Sequence, residues 1–140
     1  MRLPSRLLHR NRNSSKNDFG HVLIIAGNPS YSGAILLTAE AAMRAGAGLV
    51  TLGIPKSINN AIIKIKPKEV MTLPLPETRQ GALGLGGYKK IKDFAKKADV
   101  LIIGPGLGQE KSTQALARKI ISNIFKPMVI DADGLNALAG

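Results

Sequence analysis

Residues 22–34, which read VLIIAGNPSYSGA, decide the fold. The first five are apolar without interruption, which is typical of a strand buried on both faces of a parallel sheet. Residues 27–33 combine glycine, proline, asparagine and serine and are predicted to form a loop. Residues 34–45 contain neither proline nor glycine and are rich in alanine and leucine, so they predict a helix. Residues 49–52 predict the next strand, which completes one right-handed βαβ unit.

The same alternation continues along the chain. Further helices are predicted at residues 57–65, 88–97 and 112–122, and further strands at 70–73, 100–103 and 128–130. Residues 74–87 contain several prolines and glycines and are predicted to be a loose surface connection. Strands that alternate with helices predict an α/β fold of three layers, α/β/α, around a mainly parallel sheet.

Composition narrows the class of protein. The chain has 140 residues, of which 44% are hydrophobic and 21% charged, as in a single soluble globular domain. The absence of cysteine excludes a disulfide framework, a thiol nucleophile and a thiolate metal site. No apolar run approaches the roughly 20 residues that span a bilayer. We therefore expect a cytoplasmic protein without a membrane partner.

The net charge of +11 raises the possibility of nucleic-acid binding. The charges are spread over the acid-free first 17 residues and over 64–68 and 89–97, and the leading ones are Arg2, Arg6, Arg10, Arg12 and Lys16. The few aromatic residues are scattered and offer no platform on which bases could stack. We predict a flexible basic lead-in at 1–17, a domain at 18–140, and a solvated basic surface that does not bind nucleic acid.

Three predicted strands end in loops of unusual composition, at residues 27–33, 104–108 and 131–136. The carboxyl ends of parallel strands lie on one edge of the sheet, where open α/β sheets bind their ligands. Glycines in the first two loops let a ligand approach backbone N–H groups, and the helices that follow favour anions at their N-termini. The alternative for residues 104–108 is an ordinary tight turn between strand and helix.

Some polar side chains in these loops could either bind a ligand or cap the helix that follows. Ser32 can donate to a ligand or cap the helix that follows. Asp131 and Asp133 point the same way and suit a ligand hydroxyl or a hydrated Mg²⁺, although Asp133 can instead cap a helix that begins at Gly134. Asn136 is placed to face the same cleft. The two histidines are too far from any carboxylate cluster to indicate a metal site, so none is predicted.

Five blocks of sequence together resemble the ADP- or ATP-dependent NAD(P)H-hydrate dehydratases, in the family's order and spacing. They are DFGHVLIIAG at 18–27, YSGA at 31–34, RAGAGLVT at 44–51, GPGLG at 104–108 and DADGLN at 131–136. Any one block alone would be weak support for this resemblance, but the five blocks together are specific to this family. The similarity extends from about residue 10 to residue 140.

The resemblance implies a ribokinase-like, Rossmann-like domain that repairs hydrated NADH or NADPH. In this family a nucleotide, ADP or ATP with Mg²⁺, phosphorylates the hydroxyl of the hydrate, and phosphate is then eliminated. Ala34 and Gly106 match positions that contact the hydrated dinucleotide, and Gly33, Gly104 and Gly108 flank them. The resemblance also places Asp131 and Asn136 near the reacting groups and implies a homo-oligomer.

The family's later motifs do not occur in these 140 residues. They include a His-Pro-Gly-Glu-like segment, a nucleotide-binding stretch and a Gly-Thr-Gly-Asp loop that carries the catalytic aspartate. We therefore expect a domain that is incomplete at its C-terminus, with no catalytic residue before Gly140. Such a chain would bind the dinucleotide weakly without turnover and would need the missing C-terminal half. Two alternatives stay open: a ribokinase-like kinase of a small alcohol, and a non-catalytic dinucleotide-binding subunit.

Overall fold

A computed structural model describes residues 11–139 of the chain. Its centre is a sheet of five parallel strands in the order β3-β2-β1-β4-β5. The strands are β1 (His21–Ile25), β2 (Leu49–Pro55), β3 (Met71–Leu75), β4 (Val100–Ile103) and β5 (Met128–Ile130). The chain moves outward from β1 to β3 and then returns to the other side of β1 as β4. The order therefore reverses between β1 and β4, the kind of position where α/β proteins bind ligands.

Among residues 11–139, five α-helices flank the sheet: α1 (Ser32–Arg44), α2 (Asn59–Ile65), α3 (Tyr88–Ala95), α4 (Lys111–Asn123) and the single turn α5 (Asp133–Asn136). On one face, Ile24 and Val50 pack with Ile35 of α1 in one buried cluster. On the other face, Leu23 and Leu101 pack in a second cluster, which includes residues of α3 and α4. Successive strand residues thus point to opposite layers, and the predicted three-layer α/β/α architecture with a parallel sheet is confirmed.

Several element bounds differ from prediction for identifiable reasons. Residues 53–55 prolong β2 because they pair with 73–75 of β3, so both strands are longer than their apolar cores. Pro74 lies inside β3, which is tolerated because β3 is the edge of the sheet and one side of its backbone needs no partner. Helix α2 begins at Asn59, two residues later than predicted.

The predicted loose connection at 74–87 is wrong. Its first two residues belong to β3, and Glu77 and Leu83 then form an antiparallel bridge that closes a hairpin. The Thr113 hydroxyl of α4 donates to the Leu83 carbonyl at 2.7 Å, and the Leu85 N–H donates to the Ser112 hydroxyl at 3.1 Å. The segment 76–84, called the hairpin below, is therefore tied to the start of α4.

Part of the predicted basic lead-in at 1–17 lies in the described region. Residues 1–10 lie outside it, but the Ser14 N–H donates to the Asn11 carbonyl at 3.0 Å. The Ser15 N–H donates to the Asp18 carboxylate at 2.6 Å and opens a short 3-10 helix, Lys16–Phe19. Asn11, Ser14 and Ser15 are thus hydrogen-bonded, and the boundary between a lead-in and the domain stays a prediction. Within residues 11–139 no helix combines the length and apolarity needed to cross a membrane.

Candidate functional site

The loops that follow β1, β4 and β5 meet at the carboxyl edge of the sheet, as the sequence predicts. The Gly27 N–H donates to the Pro105 carbonyl at 2.9 Å, and the Gly104 N–H donates to Ile25 at 3.2 Å. The Asp131 N–H donates to Ile103 at 3.0 Å, which joins the third loop to the second. Backbone hydrogen bonds therefore hold the three loops together at the point where the strand order reverses.

Two adjoining chambers open between these loops. The first chamber has a volume of about 430 Å³ and is lined by Tyr31, Ala34, Gly106, Gly108, Gln109 and Asp133. The second chamber, of about 260 Å³, shares Tyr31, Gly108 and Gln109 and extends to Gln80 of the hairpin and to Glu110. Together they form one cleft at the scale of small-molecule sites, which are a few hundred Å³ in volume.

Gly106 brings the β4 loop close to the first turn of α1. Its φ is +63°, and a Cβ built there would lie 2.7 Å from the Tyr31 carbonyl oxygen and 3.2 Å from the Ala34 Cβ. A side chain at this position would both strain the backbone and fill the gap between loop and helix. Glycine at 106 thus keeps the first chamber open.

The N-terminus of α1 forms one wall of the first chamber. The interpretation of Ser32 as the cap of this helix is wrong, since the N-cap is Tyr31 and no side chain caps the helix. Asn28 instead shapes the preceding turn, because its Oδ1 accepts from the N–H groups of Ser30 at 2.8 Å and Tyr31 at 3.2 Å. The first N–H groups of a helix have no partner within it and carry partial positive charge. The wall beside Ala34 therefore favours an anionic group.

Asp133 connects the loops after β4 and β5. Its Oδ2 accepts from the Gly108 N–H at 2.8 Å, and its Oδ1 accepts from the Asn136 amide at 3.0 Å. The interpretation of Asp133 as the cap of a helix beginning at Gly134 is wrong: Asp133 is the first residue of α5, and Ala132, at φ +44°, is the N-cap. The carboxylate fixes the geometry of the cleft, and each of its two oxygens accepts a hydrogen bond from a donor of the protein.

Three predicted site residues, Ala34, Gly106 and Gly108, line the first chamber together. The structure does not place the other four on its lining. Gly33 is exposed in the first turn of α1, and a Cβ there would meet nothing within 4 Å. Gly104 is buried against the Asp131 backbone.

Asp131 and Asn136 lie just outside the first chamber. Both are exposed; Asn136 hydrogen-bonds to Asp133, whereas the Asp131 carboxylate has no hydrogen-bond partner in the described part of the chain. The predicted roles of Asp131 and Asn136 in binding or near the reacting groups stay predictions, as do those of the glycines.

Sequence reasoning missed Gln80, Gln109 and Glu110 as cleft residues. Gln109 and Glu110 follow the glycine loop directly and precede α4, so their position at a strand-to-helix junction could have identified them. No local signal marks Gln80, since its place in the second chamber depends on the hairpin folding back toward the site.

The residues described do not by themselves form a Mg²⁺ site. Residues 11–139 contain no group of three or more histidine, cysteine or carboxylate side chains able to hold a metal ion. Asp133 is occupied by protein donors, which leaves Asp131 without a second free carboxylate beside it. The residues present therefore do not fit a Mg²⁺–nucleotide complex bound by this part of the chain alone.

The lysine-rich helix α3 neutralises part of its own charge. Lys89 and Lys96 lie 2.9 and 3.0 Å from the Asp93 carboxylate. Their hydrogen bonds and positive charges lower the pKa of Asp93 to about 2. All three side chains are exposed and none lines the cleft, so this ion-pair group belongs to the solvated surface.

The parallel sheet, the reversal of strand order and the uncapped helix beside a glycine loop define an α/β protein with a candidate small-molecule cleft at the carboxyl edge of its sheet. Comparison with known families specifies the class further. The family model described as NAD(P)H-hydrate dehydratase matches residues 22–140. The chain belongs to the NAD(P)H-hydrate dehydratase family, and the predicted resemblance is confirmed.

Relatives of known name agree with this assignment. The bifunctional NAD(P)H-hydrate repair enzyme Nnr of Moorella thermoacetica is 42% identical over 135 residues, which are 96% of this chain and 25% of that protein. The Escherichia coli protein of the same name is 38% identical over 130 residues, 93% of this chain and 23% of its own length. The chain thus spans about a quarter of the length of these relatives.

Solved structures confirm the ribokinase-like fold. An ADP/ATP-dependent NAD(P)H-hydrate dehydratase from Bacillus subtilis, co-crystallised with ATP/Mg²⁺, superposes with a TM-score of 0.70 at 27% identity. That match covers 91% of this chain and 42% of the other. A ribokinase-like superfamily protein from Enterococcus faecalis gives a TM-score of 0.77 at 25% identity and covers 98% of this chain and 47% of the other.

Proposed function

We propose that this chain forms the substrate-binding side of an ADP/ATP-dependent NAD(P)H-hydrate dehydratase. The observation that carries the proposal is the first chamber, where Gly106 faces the uncapped N-terminus of α1 beside Ala34. Backbone N–H groups and the helix dipole at this point suit the pyrophosphate of a dinucleotide. The names of the relatives supply the nature of that dinucleotide, a hydrated NADH or NADPH.

The residues of this chain would bind and orient the hydrate. The helix start at Ala34 holds the pyrophosphate, and the Asp133 hydrogen bonds keep the β4 and β5 loops at a fixed separation. Asp131, whose carboxylate is exposed, would accept a hydrogen bond from the substrate, and Asn136 and Gly33 would line its path. Fixing a substrate in a reactive orientation is itself a large part of catalysis.

Phosphoryl transfer would be served by other groups. The resemblance implies that the hydroxyl of the hydrate would be phosphorylated by ADP or ATP and that elimination of this phosphate would restore the dihydronicotinamide ring; residues 11–139 would supply neither the metal site nor the nucleotide site for that step. We assign no catalytic base to residues 11–139, whose part in the reaction is substrate binding. A homo-oligomeric state, a cytoplasmic location and a requirement for a C-terminal half, in the same or another chain, are parts of this proposal that also await measurement.

The proposal is tested by measuring binding and turnover separately. We expect the 140-residue chain to bind NADH-hydrate in equilibrium dialysis and not to regenerate NADH when ATP and Mg²⁺ are added. Ala34→Leu should weaken binding by about tenfold or more, because the larger side chain occupies the first chamber and one tenfold step is about 1.4 kcal/mol. Ala41→Leu is the matched control, since Ala41 lies exposed on the same helix and does not line the chamber.

Two outcomes would contradict the proposal in different ways. Rapid turnover by the 140-residue chain would refute the proposal that this chain only binds the substrate and that other groups bind the nucleotide and transfer its phosphoryl group. Equal binding by the Ala34→Leu and Ala41→Leu variants would refute the location of the site. A kinase of a small alcohol is the competing function, because the Enterococcus faecalis neighbour is ribokinase-like. It predicts a phosphorylated alcohol as product when the protein is screened with ATP and a panel of small alcohols.

A further inference from the structure

Tyr31 is the only aromatic residue among the described residues that line the cleft, and it lines both chambers. Its position follows from the fold, because Tyr31 ends the loop after β1 and is the N-cap of α1. Most of the remaining lining consists of glycine, alanine and polar residues. The cleft therefore offers a ligand one large flat surface.

The backbone of Tyr31 is held on both sides. Its N–H donates to the carbonyl oxygen and to the Oδ1 of Asn28, each at 3.2 Å. Its carbonyl oxygen faces Gly106, where a Cβ would lie only 2.7 Å away. A ligand that contacts a residue fixed in this way has little additional backbone to order, and such ordering is one of the main costs of binding.

The Tyr31 side chain has no structural task in the described part of the chain. The residue is 58% exposed, belongs to neither of the two buried clusters, and its hydroxyl has no hydrogen-bond partner among residues 11–139. Its side chain does not cap α1 either. A ligand that covered the ring would remove apolar surface from water, which is favourable. The ring is therefore available to a flat ligand without being withdrawn from the core.

We propose that Tyr31 stacks on the adenine of the dinucleotide and that the cleft binds this base through it. The inference rests on the proposed function of the cleft. Aromatic side chains bind bases by stacking, which requires an exposed flat face and no particular pattern of hydrogen bonds. In the hydrate, water has been added across a double bond of the dihydronicotinamide, so that ring is not aromatic. Adenine is then the only aromatic ring of the substrate.

This position of the base agrees with the site proposed for the pyrophosphate. Tyr31 directly precedes the first turn of α1, whose N–H groups without a partner in the helix lie beside Ala34. Only the ribose separates adenine from the pyrophosphate, so both groups can lie at the start of α1. Because adenine is uncharged, its stacking does not depend on the charge of the lining, and Asp133 and Glu110 do not oppose it.

The first test measures the contact by tyrosine fluorescence, with ADP-ribose as the probe because it carries adenine and pyrophosphate but no nicotinamide. The chain contains two tyrosines and no tryptophan, so Tyr88→Phe leaves Tyr31 as the only tyrosine. Phenylalanine at 88 keeps the ring below the Lys119 ammonium, which lies 4.6 Å from its centroid. We expect ADP-ribose to quench the emission of Tyr88→Phe saturably. Tyr31→Phe, which retains only Tyr88, should show no saturable quenching and controls for light absorbed by adenine.

The second test measures binding of NADH-hydrate and ADP-ribose to the 140-residue chain by equilibrium dialysis. Tyr31→Ala should weaken both about tenfold, which is about 1.4 kcal/mol and within the range for one base stacked on one aromatic ring. Tyr31→Phe keeps the ring and should bind both nearly as tightly as the unmodified chain. Phe125→Ala is the matched control, because Phe125 is a 93% exposed ring between α4 and β5 that does not line the cleft.

A parallel arm with ATP separates the two sources of adenine. If Tyr31→Ala weakens binding of ATP and leaves that of NADH-hydrate unchanged, Tyr31 binds the base of the phosphoryl donor and the proposal is overturned. A loss confined to NADH-hydrate, with ADP-ribose unaffected, would place the nicotinamide ring on Tyr31 and would also overturn it.

The remaining results decide between this inference and the proposed function. ADP-ribose that binds without quenching Tyr31, or that fails to bind where NADH-hydrate binds, overturns the stacking of adenine while the proposed function stands. Equal losses in Tyr31→Phe and Tyr31→Ala would assign the effect to the hydroxyl and not to the ring. If Tyr31→Ala is unfolded by circular dichroism, the fluorescence of Tyr88→Phe decides. Failure of both NADH-hydrate and ADP-ribose to bind overturns the proposed function together with this inference.

Discussion

The two edges of the sheet use polar groups differently. At the amino edge, side chains bind the starts of the strands: the Asp99 carboxylate accepts from the His21 N–H at 2.8 Å, and the Lys126 ammonium donates to the Ala98 carbonyl at 2.7 Å. At the carboxyl edge, the loops are joined chiefly by backbone bonds such as Gly27 to Pro105. The side chains of these loops line the cleft formed by the two chambers.

The difference shows how one fold separates stability from binding. Polar groups at the amino edge satisfy one another and end the strands. Loops at the carboxyl edge approach closely only because glycines at positive φ allow it, as Gly104 and Gly106 do at +128° and +63°. A cleft therefore forms between tightly connected loops without any side chain being required to fill it.

The largest effect is expected at Gly104, where the carboxyl edge is tightest. A Cβ at this position would overlap the Asp131 carbonyl oxygen and lie 2.8 Å from the Gly134 nitrogen, at a φ that side chains rarely adopt. Gly104→Ala should therefore lower the free energy of unfolding by about 3–4 kcal/mol, from strain and overpacking together. Urea unfolding monitored by circular dichroism measures the change.

Gly33→Ala provides the control on the same edge. Gly33 lies in the first turn of α1, where a Cβ meets nothing within 4 Å. Alanine there should leave stability unchanged or raise it by up to about 1 kcal/mol, because it restricts the unfolded chain and suits a helix. If Gly104→Ala and Gly33→Ala lower the free energy of unfolding equally, the close contact at Gly104 is not what stabilises the carboxyl edge.

An intermediate effect is expected from Asp133, which joins two loops of the carboxyl edge. Asp133→Ala leaves the Gly108 N–H without its 2.8 Å acceptor and should cost about 1–3 kcal/mol of unfolding free energy. Because the loops lose their fixed separation, binding of NADH-hydrate should weaken as well.

Asp131→Ala is the comparison for Asp133. The Asp131 side chain has no hydrogen-bond partner in the described part of the chain, so its removal should leave stability within about 0.5 kcal/mol of the original. A loss of binding without loss of stability would support its proposed contact with substrate. A destabilisation as large as that of Asp133→Ala would mean that the two carboxylates have been assigned the wrong roles.

Much of the fold was predictable because the strands are short and continuously apolar. The bounds of β4 and β5 agree with prediction. Burial inside the parallel sheet removes polar residues from β4, whereas β5 is a short apolar segment at the edge of the sheet, where Val129 is exposed. The meeting of three loops at one edge then follows from parallel pairing alone. The alternatives for Ser32 and Asp133 could not be decided in the same way, because cap and binding roles require the same residue types.

The second chamber could not be predicted, for a physical reason. Thr78 and Glu110 are 32 residues apart and meet only because the hairpin bridge at Glu77 and Leu83 folds back onto α4. Proline and glycine in this segment indicate turns but not where the turns pack. The contact depends on tertiary packing, which periodicity does not encode.

The smallest effect concerns His21, which closes the amino edge. Its Nε2 lies 2.8 Å from the Thr51 hydroxyl, and partial burial lowers its pKa below the usual value despite the opposing charge of Asp99. The unfolded chain therefore takes up a proton near pH 6.5, at a higher pH than the folded chain. Stability should be complete above that pH and decline as the pH falls toward the folded pKa. We expect the free energy of unfolding, measured in urea, to differ less between pH 7.5 and pH 5.5 in His21→Gln than in the unmodified chain. If the two proteins show the same difference, His21 does not contribute to the pH dependence of stability.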